Sequence, residues 1–287
     1  MQSVIAYLAP WEFSPTVMVA CALPALAYTR GLVLTRRAGA ATGFWRPLSF
    51  FLGLGLIYAA LQTYFDYLSQ HMFWVHRLQH LILHHIGPFL LVLSAPLNLM
   101  ARGTPRALRE RLVLPFWQQW LVQRLYGLVQ SPVVAPLLFV GLIYFWLAPS
   151  IHFGAMLNAD RYKLMNWSMA LDGILFWWLM IAPRGAQAHA SLNYLTRILI
   201  LFLVMVPQLL LGAYISLHRG LLYDVYDLCG RAWAIDPITD QEVGGLITWI
   251  PGGMMSVIAI LLVLRHIMHD KTETLATPPS MATTGTR

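Results

Sequence analysis

The third long apolar run of the sequence contains His76, His80 and His84, three imidazoles spaced i, i+4, i+8. At about 100° per helical residue each step drifts by only about 40°, so the rings form one narrow stripe on a helix. Neutral imidazoles at that spacing can aim ring-nitrogen lone pairs at a common ion, and a metal is the commonest physical reason for such a stripe. Met72 extends the stripe one way and Gly87 and Asn98 the other, while His85 falls roughly opposite His76 and outside the group. A single histidine near a membrane surface is more often a snorkelling or hydrogen-bonded side chain than a ligand. That bland account suffices for His71, His152 or His218 taken alone, but is less satisfying for an aligned trio.

Other groups could serve the same centre. Asp172 stands deep in the run RYKLMNWSMALDGILFWW. A lone carboxylate there is either protonated, in a helix–helix hydrogen bond, or paired with a histidine, an amide or an ion. We expect it, with Asp66 and His71, to orient the ligands from outside. Met254 and Met255 carry thioethers, soft donors that favour Cu(I), although paired methionines in lipid are usually simple packing. Cys229, in the polar segment LYDVYDLCGRAWAIDPITDQEVGG, is either a receiver of Cu(I) or a buried, inert thiol.

Such groups need a scaffold, and the composition dictates its class. Of 287 residues 58% are hydrophobic and only 11% charged, against about 25% charged in a soluble domain. Each bilayer crossing needs roughly 20 apolar residues, and the chain supplies such runs repeatedly. They are continuously apolar, without the alternation of a β-barrel strand. The reading is an all-α polytopic helix bundle of seven spans, at about 16–35, 48–68, 76–99, 132–151, 163–182, 195–217 and 243–266.

Arginines gather in alternate loops: Arg30, Arg36, Arg37 and Arg46, then Arg102, Arg106, Arg109, Arg111 and Arg124, then Arg184 and Arg197, then Arg265 with Lys271. The positive-inside rule makes that side cytoplasmic, which puts the N-terminus outside and the C-terminus in the cytoplasm. Asp66, Asp160, Asp224, Asp227, Asp236, Asp240 and Glu242 lie on the opposite side. The formal charge of +7 is thus a topology signal, not a nucleic-acid surface. Two cysteines, Cys21 and Cys229, exclude a disulfide framework. No signal peptide is read at Met1–Pro15, so the first span is expected to be an uncleaved anchor. Residues 1–270 read as one membrane domain, and the Thr-, Pro- and Ser-rich 271–287 as a disordered cytoplasmic tail.

The stretch HRLQHLILHHIGPFLLVLSAP, His76 to Pro96, resembles the third-helix histidine motif of the caa3-type cytochrome c oxidase assembly factors, the CtaG family. LDGILFWW (Leu171–Trp178), PQLLLGAYISL (Pro207–Leu217), CGRAW (Cys229–Trp233) and DQEVGGLITWIPGGMMS (Asp240–Ser256) resemble its later motifs in order and spacing. The likeness spans about residues 45–266. It implies a multi-span protein of the bacterial plasma membrane whose partners are cytochrome c oxidase subunits and lipid. It also implies a role in maturing a haem-copper oxidase, at copper delivery or another metallocentre step, and places His76, His80 and His84 on the family's histidine motif. Where many family members carry a histidine near the start of the fifth helix, this chain has Asn166.

The resulting expectation is copper held transiently by His76, His80 and His84, with Met254 or Met255 as soft neighbours. No nucleophile with a paired base, phosphate-cradling loop or paired carboxylates is visible, so no catalysis is expected. The alternatives are a copper or other metal transporter, which needs polar groups continuing past Asn98, a haem-binding electron carrier, and a purely structural scaffold that binds oxidase subunits through its apolar faces. The haem reading is disfavoured because ligands one turn apart on one helix cannot face each other across a porphyrin.

Overall fold

The computed structural model describes residues 10–182 and 192–276, with side chains through residue 269. Every described element is helical, apart from an isolated bridge between Pro10 and Thr63. In chain order the helices are α1 (Pro15–Arg37), α2 (Trp45–Gln62), α3 (Tyr64–His71), α4 (Phe73–Leu93), α5 (Leu97–Gly103), α6 (106–118) and α7 (Trp120–Val129). There follow α8 (Val134–Leu147), α9 (Pro149–Met156), α10 (Ala159–Ile181), α11 (Tyr194–Leu217), the short α12 (Val225–Cys229) and α13 (Pro237–Ala276).

Among the described residues α1, α10, α11 and residues 237–269 of α13 are long and apolar enough to cross a bilayer. The number rises to six if the bent pairs α4–α5 and α7–α8 each count as one crossing. Leu195, Leu199, Leu203, Leu210 and Leu217 form an exposed stripe along α11, a face that suits lipid and not water. The residues of α6 and α7 are all at least partly exposed. Leu112, Phe116, Trp117 and Trp120 project beside Arg106, Arg109 and Arg111, the mixture expected of helices lying at a membrane surface.

Three expected spans are interrupted, each for a local reason. The run at 48–68 breaks at Thr63, whose backbone is extended; its hydroxyl donates to the Ala59 carbonyl and accepts from the Phe65 amide, so it caps the new helix. The run at 132–151 breaks at Ala148, which precedes Pro149 and takes the extended conformation that a residue before proline prefers. The run at 76–99 bends by 71° after Leu93, where Ala95 has φ of 48° and Pro96 follows. At the far end α13 continues to Ala276, beyond the expected 266. Arg184 and the tail at 277–287 lie outside the described residues.

Helix α4 carries the histidines, and its own sequence alters its pitch. Pro88 has no amide to donate to the carbonyl four residues back, His84. The turn Leu81–Ile86 widens to a π-helix, with the Gly87 amide reaching the Ile82 carbonyl. The orphaned His84 oxygen instead accepts the indole N–H of Trp177 on α10 at 3.0 Å. Helix α10 comes this close because Gly173 lies against the same peptide; a Cβ there would be 2.4 Å from the His84 oxygen. Helices α11 and α13 approach through Gly212 and Gly245 in the same manner, as small residues permit inside membranes.

Two large apolar clusters fill the bundle. One holds Phe89, Phe139, Phe176, Trp177 and Leu201; the other holds Phe73, Trp146, Met165, Tyr223 and Tyr226. Between them runs the polar edge of α4. Buried Arg197 closes the far end of α10 by donating to the Met180 and Ala182 carbonyls, two of the acceptors that a helix terminus leaves open.

Candidate functional site

The N-terminal end of α4 is fixed from the other end of the chain. Asp240, at the start of α13, accepts the Trp74 amide at 2.8 Å and the Phe73 amide at 3.1 Å. Two donors that a helix start leaves without partners are thereby satisfied. Arg231 pairs with the same carboxylate and with Asp227. The sequence reading placed Asp240 among outer-loop charges, whereas it is fully buried.

From that anchor the stripe begins with His76, which has no exposed surface. Neither of its ring nitrogens makes a hydrogen bond of ordinary geometry. Its ring centroid lies 4.3 Å from that of His80 and 5.1 Å from that of His152. His152 has both nitrogens engaged: Nδ1–H donates to the Trp146 carbonyl at 3.1 Å, and Nε2 therefore accepts from the Tyr226 hydroxyl at 3.0 Å. Burial pulls the His152 pKa down to about 3, so the ring is neutral at ordinary pH.

His80 Nε2–H donates to Asn166 Oδ1 on α10 at 3.1 Å. Its Nδ1 lone pair then faces the guanidinium of Arg77, at 3.5 Å from Nη1. Asn166 thus falls directly on this imidazole. One turn further, His84 Nε2 and Asp172 Oδ2 share a hydrogen bond of 2.9 Å. With Asp172 ionised, Nε2–H donates and Nδ1, which has no partner, keeps its lone pair. The His84 ring stacks on Phe139 at 4.0 Å.

His85, expected to face away from this group, is also buried. Each residue of the widened turn rotates through a smaller angle, which leaves His85 at 5.0 Å from His84, with Nε2 3.5 Å from Gln208 Oε1 on α11. Its Nδ1 and the Gln208 amide nitrogen have no partners. Arg77, His80, His84, His85, Gln208 and Thr248 line a small cavity with room for about one water molecule or a bare ion.

The remaining expected residues are more dispersed. Asp66 is held by Tyr162, Gln79 and Gln70 at 2.8, 2.8 and 3.0 Å, and Tyr162 OH also meets Ser69. The Tyr162 ring is 6.1 Å from His76, which connects Asp66 to the stripe through that ring. His71 donates to the Tyr67 carbonyl and lies against the Tyr67 ring, accounted for within α3. Met254, expected beside the histidines, instead faces out of the bundle at 56% exposure. The reason is that α13 turns Gly245 and Gly253 toward α11. Met255 packs against the apolar cluster around Phe176 and Trp177. Burial raises the pKa of Cys229, which holds it as a thiol.

Among the described residues no three His, Cys, Asp or Glu side chains converge closely enough to hold one metal ion. The arrangement is a ladder of imidazoles, with His80 and His84 tied to α10 and His85 to α11, and not a closed cage. Sequence reasoning missed Arg77, Gln208 and Thr248. The one available signal was the cation inside HRLQH, set between two of the aligned histidines near the start of the expected span.

A family of cytochrome c oxidase caa3 assembly factors (Caa3_CtaG) matches residues 26–270. Uncharacterised proteins of Mycobacterium bovis and of Mycobacterium tuberculosis are each 27% identical over 256 residues, covering 84% of this chain. The chain spans 37% of the length of these curated relatives. No solved structure matches it.

Proposed function

This chain belongs to the cytochrome c oxidase caa3 assembly factor family, and we propose that it supports copper maturation of a haem-copper oxidase by holding the ion in transit on the α4 histidines. The supporting observation is His76, wholly buried, with neither ring nitrogen in a hydrogen bond of ordinary geometry and His80 one turn away. Burying polar atoms without partners costs on the order of 1–3 kcal/mol each. A soft monovalent ion relieves that cost, and imidazole is a fitting donor for it.

The open ladder suits cargo. A pair of imidazoles with engaged neighbours fits an ion that must leave again, whereas a tetrahedral cage would retain it. In this reading His76 and His80 take the ion and His84 is the next station along α4. Asp172 orients the His84 ring through its hydrogen bond. Met255 remains a soft neighbour, Met254 drops out, and Asp66 and His71 act only through their contacts with Tyr162 and Tyr67. The histidine-bearing end faces outward, the N-terminus lies outside and the C-terminus in the cytoplasm. The chain crosses the bacterial plasma membrane seven times, meets oxidase subunits there, and catalyses no reaction.

Metal analysis of the purified full chain, wild type beside a H76A/H80A/H84A triple variant, tests this under reducing and oxidising conditions. Stoichiometric copper in the reduced wild type, and its loss together with oxidase maturation in the variant, is the expected result. Equal copper content in the two proteins would end the assignment.

A further inference from the structure

Arg77 stands in the middle of the histidine ladder, and nothing in the proposed role uses it. The side chain is 5% exposed. Its Nε donates to Thr248 Oγ1 at 2.9 Å, and Thr248 in turn donates to the Gly244 carbonyl. Its stem packs under α13, where a Cβ on Gly244 would be 3.2 Å from Arg77 Cγ. Among the described residues no carboxylate pairs with it. Its remaining polar contact is with His80 Nδ1. A buried cation without a counter-charge is costly inside a membrane protein and by default marks function.

The geometry assigns it one. The His80 lone pair left free by Asn166 points at the guanidinium, so an ion taking that lone pair at a metal–nitrogen bond of about 2 Å must push the guanidinium back by about 3 Å, and then sits about 6 Å from its charge. Thr248 and Gly244 hold the side chain nearby. We propose that Arg77 is a charge filter, a specificity-determining residue that admits monovalent soft ions to the histidine ladder and rejects divalent ones. This rests on the ladder being a metal site. Coulomb repulsion scales with the charge of the entering ion. With an effective dielectric constant of about 20, Arg77 weakens monovalent binding about a hundredfold and divalent binding by about the square of that factor. Imidazole alone would not discriminate in this way, since it accepts Zn²⁺ and Cu²⁺ readily.

The test is titration of the purified full chain with Ag⁺ as the monovalent probe and Zn²⁺ as the divalent one, each in competition with a chelator. Wild type, R77Q and the charge-retaining R77K are compared, with R77M, which keeps the apolar stem, replacing R77Q if the latter does not fold. Because each ion is compared with itself across variants, differences in softness cancel. Removing the charge should raise Ag⁺ affinity about a hundredfold and Zn²⁺ affinity about ten-thousandfold, while R77K keeps the wild-type ratio. Equal gains for the two ions would overturn the filter and leave the metal site standing. Failure of every form to bind either ion would remove both.

Discussion

Replacing Asp240 tests whether the histidine helix is held from the far end of the chain. D240A deletes the acceptor of two amides, Phe73 and Trp74, at a site with no exposed surface. An orphaned buried donor costs about 1–3 kcal/mol, toward the upper part of that range when its partner was charged. Arg231 keeps Asp227 and adds little to the loss. The sum is about 3–5 kcal/mol for D240A. D240N retains one acceptor oxygen and should cost about half of that. Denaturant unfolding in lipid nanodiscs gives the order wild type, D240N, D240A. Hydrogen exchange locates the effect, with faster exchange at residues 73–76 and unchanged protection at Leu91–Leu93. A D240A protein as stable as wild type, with the first turn of α4 still protected, would show that the carboxylate does not cap that helix.

Gly173→Ala places a Cβ 2.4 Å from the His84 oxygen. Helices α4 and α10 must then separate by roughly an ångström, at a cost of about 1–3 kcal/mol, and weaker ion binding should accompany the lower unfolding midpoint. A G173A variant with wild-type stability would contradict the close crossing. His152 gives a pH signature. Its pKa in the folded protein is about 3 against 6.5 unfolded, so the unfolded state alone gains a proton between those values. The contribution is complete above pH 6.5 and is lost as pH falls toward 3, at up to about 1.4 kcal/mol per unit. H152Q should flatten that slope in unfolding measurements between pH 6.5 and 4, and an unchanged slope would assign the acid sensitivity elsewhere.

Periodicity and composition made the helical, membrane-spanning class legible, because a bilayer accepts few other solutions. The motifs around His76–Pro96 and Asp240–Ser256 carried the family. The ladder was legible only as a regular α-helical stripe, and there the reasoning missed a local fact: Pro88 withdraws one amide, the turn before it widens, and His85 joins the interior. A proline at position 88 was available to be read that way. Arg77 and Asp240 were not so readable, since a charged residue near a span end looks the same whether it meets water or a partner more than 150 residues away. Asn166 and His80, or Gln208 and His85, meet only through helix packing that no single run of sequence encodes.

The clasp by Asp240 also bears on how the molecule is made. Synthesis proceeds from the N-terminus, so α4 is in the bilayer well before residue 240 leaves the ribosome, and until then its first amides have no carboxylate. Thr248, which holds Arg77, arrives later still. A nascent or truncated chain therefore carries all the imidazoles of α4 while lacking the residues that fix their helix and position their cation. The histidine helix thus reaches its final form only once the segment from Asp240 to Thr248 has packed against it.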